Sequence, residues 1–404
     1  MKIFKVLLVV AIALGMMACN NEQDVPEISG EKDASISIKV VPSSDSPSFR
    51  AVGNLSGDGI IGQGLEAESA IHHLEVWVFS GDVLKAYGTS TTAEIENLET
   101  SVGASTIVVA ANAKIGIVGS KTALFDKLGD LPPRDITDGV VMTAEAIEVT
   151  LVAGNNYYGY TDTQVGEKIA VDATKKNHLD DGKKPLPLTR VNARVAIVSA
   201  ELDYENVPET QQAVFTHLGD IEVAMFNVPN KTKLFGTSLA TSTDFQFGAA
   251  WLSPKYSYVG VGTGTPNPVL FEETELPISA GSAPYYYVNE NNSLVETGTE
   301  NAPAQKMLIV LRAKVYKGET VVTELKDLFT DTEGYTYYPI LVNKDGVAED
   351  GKVGDGNVYR NTQYNISLTI KGLGNPSIDD VDKAFLDVKV EVAPWNVVTQ
   401  NVEW

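Results

Sequence analysis

Apolar and polar residues alternate with period two along much of this chain, and most clearly over its last nineteen residues. Leu386, Val388, Val390 and Val392 are separated by Asp387, Lys389 and Glu391. Successive side chains of a strand point to opposite faces, so this spacing predicts a strand with one buried face. Pro394-Trp395 interrupts the pattern, and Asn396 to Trp404 resumes as a second β-like run containing Val397 and Val402. Chain ends are commonly polar and frayed. An apolar end closed by a tryptophan needs a cover, which is either the chain's own core or another molecule's.

The same alternation places Ile36, Ile38 and Val40 on one face of a strand over 34–41. A Pro/Ser-rich stretch, 42–51, and a Gly-rich loop, Gly53 to Gly64, come next. Further strands are expected at Leu74–Phe79, 105–111, 146–152 and 157–160, with Asn155-Asn156 as the turn into the last. The 105–111 run is almost wholly apolar and reads as central. Ser120 to Leu128 predicts a short helix, with Ser120 as N-cap and Gly129 just past its end. Residues 170–185 are rich in Lys, Asp, Asn and Gly, and a domain boundary is placed near 185. Pro185 to Val198 opens a second strand series, continued near 219–226, 307–316, 320–325, 336–342, 362–370 and 386–392. Many short strands with Gly, Pro and Asn turns indicate an all-β chain of two β-sandwiches with few short helices. No internal repeat of fixed period is present.

At the other end, Lys2 and Lys5 precede an apolar run from Val6 to Met17 and then Ala18-Cys19. This is the pattern of a signal peptide, over 1–18. The run falls short of the roughly 20 residues a membrane-spanning helix needs. Leu14-Gly15-Met16-Met17-Ala18-Cys19 looks like a bacterial lipobox, which makes Cys19 the expected lipid attachment point. It is the single cysteine, so no internal disulfide can form, and lipidation removes an otherwise free thiol. The competing reading is an ordinary secretory peptide with Cys19 incidental. Asn20, Asn21, Glu22 and Asp24 form a polar tether resembling acidic sorting signals of outer-membrane lipoproteins.

The formal net charge of −22 argues against nucleic acid, and against adhesion to an anionic membrane by charge alone. Gly57-Asp58-Gly59-Ile60-Ile61-Gly62 fits the spacing of a dinucleotide motif but lacks the strand before it and the helix after it. Asp345-Gly346, Asp350-Gly351 and Asp355-Gly356 could offer oxygens to calcium, yet Asp-Gly is common turn chemistry, and turns are the favoured reading of the 345–357 loop. Adjacent His72 and His73 are expected on opposite faces of a strand, which prevents joint chelation. No catalytic residue, metal ligand or cofactor is assigned, and the chain reads as a protein that is not an enzyme. Arg50 lies between two flexible stretches just after the first strand, which suits a protease needing extended, mobile substrate.

The ordered motifs resemble a family, the major fimbrillins (stalk subunits) of type V pili of Gram-negative anaerobes. They are the lipobox at Cys19, the 34–41 strand, Arg50-Ala51, Leu74-Glu75-Val76-Trp77-Val78-Phe79, Val141-Met142-Thr143-Ala144-Glu145, and Gly154-Asn155-Asn156-Tyr157-Tyr158-Gly159-Tyr160. In the second half they are Arg190-Val191-Asn192-Ala193-Arg194, Lys233-Leu234-Phe235-Gly236, Gly334 to Asn343, Arg360 to Ile370, and Val392 to Trp404. The resemblance implies two tandem transthyretin-like β-sandwich domains in a structural stalk subunit that serves adhesion and biofilm formation. It divides the chain into a signal peptide (1–18), a lipidated propeptide with the first strand (19–50), an N-terminal sandwich (51–185), and a C-terminal sandwich (186–404) with a donor tail over 386–404. On the same resemblance the precursor is expected to be anchored to the outer membrane by its lipid. An arginine-specific surface protease is expected to cut at Arg50-Ala51, so that the strand with Ile36, Ile38 and Val40 leaves. The neighbour's Leu386, Val388, Val390 and Val392, followed by Trp395, Val397, Val402 and Trp404, are the side chains expected to fill the groove. Expected partners are the chain itself, head to tail, the protease, and pilus anchor and tip subunits. The alternatives are a tip or anchor subunit, or a monomeric surface glycan-binding lipoprotein using Trp251 and Tyr285-Tyr286-Tyr287 as a platform. The tail can also simply complete the second sandwich, and the two roles suit polymer and precursor respectively.

Overall fold

A computed structural model describes residues 31–43, 66–168, 177–179, 183–236, 244–251, 265–292, 306–343, 356–379 and 386–394. Strands dominate, and the helices are short. In the first half, ten strands form one hydrogen-bonded network. Its path runs Asn177–His178, Gly154–Tyr158, Ala34–Pro42, Leu186–Arg190, Met142–Thr143, Gly103–Ala111, Leu74–Ser80, Val83–Ser90. Glu94–Thr100 pairs the first strand, and Ile147–Leu151 pairs Gly103–Ala111. The network closes around a core that contains Ile36, Ile38, Val76, Val78, Ile107, Val109 and Leu188.

Leu74–Ser80 carries apolar residues on both faces because both are covered. Val76 and Val78 enter the main core, while Trp77 and Phe79 enter a second cluster with Leu124. The indole N–H of Trp77 donates to Gly116 O at 3.0 Å, so its polar atom is satisfied as well.

The second half is a sandwich of two sheets. One runs Tyr285–Asn289, Asn192–Leu202, Thr362–Ile370, Leu386–Pro394. The other holds Phe271–Thr274, His217–Phe226, Leu308–Lys317, Thr320–Val321 and Tyr335–Leu341. Val195, Ile197, Ile366 and Leu368 from the first meet Val223, Met225, Ile309 and Ile340 from the second in one core. Tyr286 reaches across that core and donates to Val223 O at 3.0 Å.

Several local expectations change. Ser120 does cap a helix, accepting Ala123 N–H at 3.1 Å, but the helix spans only Lys121–Phe125. Leu128–Asp130 is instead a strand paired with Lys231–Lys233. Asn155 and Asn156 lie inside the strand Gly154–Tyr158, and the turn precedes them. His72 and His73 fall just before the strand that starts at Leu74.

Gly159 has φ +83°, and a Cβ there would meet Lys39 O at 2.7 Å and Pro185 Cα at 2.9 Å. Both the left-handed backbone and the contact favour glycine. Gly159→Ala is therefore expected to destabilise the N-terminal half by about 1–3 kcal/mol. A urea midpoint unchanged from wild type would refute this.

Candidate functional site

The first strand, Ala34–Pro42, occupies a slot with three walls. Residues 34–38 run parallel to Gly154–Tyr158 and antiparallel to Glu94–Thr100, with Ile36 opposite Leu98 and Ile38 opposite Ile95. Residues 40–42 run parallel to Leu186–Leu188. Among the described strands, Glu94–Thr100 and the pair Gly154–Tyr158 with Asn177–His178 join the rest of the sheet network by strand pairing only through it. Ile36 and Ile38 are 0% exposed and Val40 2%. Its polar face is also held: Ser35 Oγ donates to Asn155 Oδ1 at 2.7 Å, and Ser37 Oγ accepts Asn97 N–H at 3.0 Å. Asn156 donates to Ser35 O at 3.0 Å and to Val152 O at 2.9 Å, tying the wall to its occupant. Removing the strand would bare three strand edges and an apolar trough, a combination that templates pairing with another chain.

The far end of the slot is a buried polar clamp. The Arg190 guanidinium donates to Glu68 O at 2.9 Å, Ser69 Oγ at 2.9 Å, Asn361 Oδ1 at 3.1 Å and Ser43 O at 3.4 Å. Ser43 N–H donates to Leu188 O at 2.7 Å. Arg194 Nη1 meets Glu68 Oε1 at 2.7 Å, and Tyr287 OH donates to the same oxygen at 2.8 Å. One guanidinium thus holds Ser43 and Glu68-Ser69, which flank residues 44–65, the segment that contains Arg50. Burial pushes Arg190 down to about 10, opposed by the Glu68 charge. Burial likewise raises the Tyr287 phenol, and the Glu68 carboxylate adds to the rise. The sequence motif Arg190 to Arg194 was legible, but this role was not. The available signal was two arginines, of only six in the chain, in an apolar stretch.

Among the described strands, the tail strand, Leu386–Pro394, is the edge of its sheet, and it pairs antiparallel with Thr362–Ile370. Leu386 and Val388 are partly buried against the second core. Asp387 is exposed and forms an ion pair with Lys371. Val390 and Val392 stand opposite Ile366 and Tyr364. Cys19, Arg50, Ala51, Trp395, Val397, Val402 and Trp404 lie outside the described residues, as do the 57–62 Gly loop and Asp345, Asp350 and Asp355.

The aromatic residues that could have formed a sugar platform are engaged elsewhere. Trp251 is 6% exposed, packs against Phe226 and Tyr337, and lies 4.6 Å from the Arg312 guanidinium. Tyr286 and Tyr287 are buried. Among the described residues, no group of three His, Cys, Asp or Glu side chains could hold a metal. No described helix is long and apolar enough to cross a membrane.

Residues 34–190 match the family model described as major fimbrial subunit protein (FimA). Residues 330–401 match that of the C-terminal part of major fimbrial subunit protein type IV, fimbrillin. The chain is 30% identical over 441 residues to a major fimbrium subunit FimA type-2 of Porphyromonas gingivalis, covering 100% of both, and a type-3 subunit from the same organism gives the same figures. Among solved structures, a fimbrilin from P. gingivalis W83 superimposes with TM-score 0.68 at 23% identity, covering 92% of this chain and 99% of that one. A putative cell adhesion protein from Parabacteroides distasonis gives 0.64 at 21% identity, covering 90% and 98%.

Proposed function

The chain belongs to the major fimbrial subunit family, the structural subunits of surface fimbriae, and from that premise we propose a maturation and assembly route for it. It is exported by residues 1–18 and anchored to the outer membrane through a lipid on Cys19. An arginine-specific protease cuts between Arg50 and Ala51, and residues 19–50 leave with the first strand. The N-terminal sandwich, which ends with the Leu186–Arg190 strand rather than near residue 185, then offers an empty slot to the tail (386–404) of the next subunit's C-terminal sandwich. This is β-strand addition, in which backbone hydrogen bonds supply affinity and alternate side chains fill pockets. A head-to-tail contact that does not close on itself yields a filament. Anchor and tip subunits would end that filament, and the strong net negative charge opposes non-specific aggregation at the surface.

The observation that carries the reading is the first strand's position. It is buried on its apolar face, hydrogen-bonded on both edges, and followed by a segment whose two flanks are held at Arg190. An occupant that can be released by one cut in that segment leaves a template behind. The buried Trp251 and Tyr287 weigh against the glycan-binding alternative.

The test is digestion of purified residues 20–404 with an arginine-specific protease, followed by N-terminal sequencing, light scattering and electron microscopy. A new terminus at Ala51 and filaments are expected, and a chain ending before Leu386 should stay monomeric after the same cut. Cut protein of full length that remains monomeric would overturn the reading.

A further inference from the structure

The apolar face of the tail strand does not fix where it sits in the slot. Leu386, Val388, Val390 and Val392 repeat with period two, so a slide of two residues again puts apolar side chains at the buried positions. The intervening polar residues discriminate between registers.

The slot makes four distinct demands. The Ala34 position is small and 5% exposed. Buried Ser37 must accept Asn97 N–H. Lys39 stands opposite Glu94, and Ser35 opposite Glu99. Val41 is 40% exposed.

The two strands have equal length and each ends in proline, Ala34–Pro42 and Leu386–Pro394. Superposing the prolines nevertheless meets the first three demands badly. Leu386 would enter the alanine position, and Lys389, which has no acceptor atom, would stand where Ser37 accepts. Asp387 and Glu391 would face Glu99 and Glu94, and like charges directly opposite each other destabilise a strand pair.

Sliding two residues removes these conflicts. Leu386, Val388 and Val390 then take the places of Ile36, Ile38 and Val40. Asp387 takes the place of Ser37 with a carboxylate that can accept the Asn97 N–H. Lys389 replaces Lys39 opposite Glu94, and Glu391 falls at the exposed Val41 position. The first strand runs parallel to two walls and antiparallel to the third, and an occupant of the same polarity restores that arrangement.

We propose that the tail strand of one copy enters the slot of the next with the polarity of the first strand and with Leu386 in the place of Ile36. The assignment rests on the donor-strand reading above. It also gives the exchange a direction. In its own sheet, Leu386 and Val388 are only partly buried at an edge, whereas the Ile36 and Ile38 positions are 0% exposed. Transfer therefore buries these two side chains more completely than their own sheet does.

The test is disulfide trapping in filaments grown by arginine-specific cleavage. Cys19 is the single native cysteine and leaves with the propeptide, so the background is clean. Glu94→Cys combined with Lys389→Cys should give a covalent ladder on oxidation, and Glu94→Cys with Glu391→Cys should not. A ladder from the second pair instead would establish the proline-aligned register and overturn the proposal. A ladder from Glu99→Cys with Ala393→Cys would establish reversed polarity and do the same. Filaments that give no ladder with any pair overturn the register while leaving donor-strand assembly standing. Unsubstituted protein that is cut and stays monomeric removes both. Independently, Asp387→Ala filaments should dissociate about tenfold faster than wild type, the size of one lost charge-assisted hydrogen bond. Asp387→Asn keeps a neutral acceptor and should fall between wild type and Asp387→Ala. Lys371→Ala, which breaks only the exposed ion pair within the donor's own sheet, should leave dissociation unchanged.

Discussion

Glu68→Ala is expected to destabilise the uncut protein by about 3–5 kcal/mol, the range for removing one partner of a buried ion pair. The Glu68 and Arg194 side chains are both 0% exposed and lie 2.7 Å apart. Tyr287 OH donates to the same carboxylate oxygen, and Arg190 packs its guanidinium on the Glu68 carbonyl. Without the carboxylate, two buried guanidinium groups lose the negative charge of Glu68. Exposed pairs behave differently: Lys32 and Glu99 meet at 3.2 Å, but both are more than half exposed, and loss of such a pair costs about 0–1 kcal/mol. Lys32→Ala is therefore the control. Equilibrium unfolding in urea, which leaves ionic interactions unscreened, reads both variants. A loss below about 1 kcal/mol for Glu68→Ala would mean that water reaches the cluster and that its charges are already solvated. Glu68→Gln should fall between, because the amide can still accept from Tyr287 but carries no charge. The consequence extends beyond stability. Glu68 lies three residues past the 44–65 segment, whereas Arg194 and Tyr287 lie on strands of the second sandwich, so the cluster ties that flank of the segment to the neighbouring sandwich.

The elements legible in the sequence were those whose burial is periodic. Ile36, Ile38 and Val40 announce a strand because one face is core and the other is Ser, Ser and Lys. Leu386 to Val392 does so for the same reason. Val83–Ser90 and Glu94–Thr100 went unnoticed because Gly88, Thr89 and Ser90, and then Glu94, Glu96 and Glu99, dilute the apolar signal on half-exposed strands. The helix after Ser120 was overextended because its cap is local chemistry, whereas its end is set by Leu128–Asp130 pairing with a strand a hundred residues away. Distance also hid the clamp. Arg190 and Arg194 could be seen as unusual, but their partner Glu68 lies 122 and 126 residues earlier, and no local period encodes such a contact. The parity of the tail was readable, while its place at a sheet edge was not, because edge and centre differ in what lies beside the strand rather than in the strand itself.

A second large effect follows from that edge position, and it reverses on maturation. Ile38→Ala should cost the uncut protein about 2–5 kcal/mol, because Ile38 is wholly buried and its neighbours Ile95 and Tyr158 are held in paired strands that cannot collapse into the cavity. Val388→Ala should cost the same protein less than about 1 kcal/mol, since Val388 is only partly buried on the edge strand of the described sheet. In filaments the order should invert. The proposed cut removes Ile38 with the propeptide, so filaments grown from the Ile38→Ala chain should match wild type in their resistance to heat and denaturant. Val388, now in the Ile38 position, should become the sensitive residue, with a loss of about 1–3 kcal/mol per joint. Urea unfolding of the precursor and denaturant-driven dissociation of filaments supply the four numbers. Ile38→Ala filaments as weakened as their precursor would mean that the first strand never leaves, and Val388→Ala filaments as strong as wild type would mean that a different segment fills the slot. Only exchange of one strand for the other moves the sensitivity from residue 38 to residue 388.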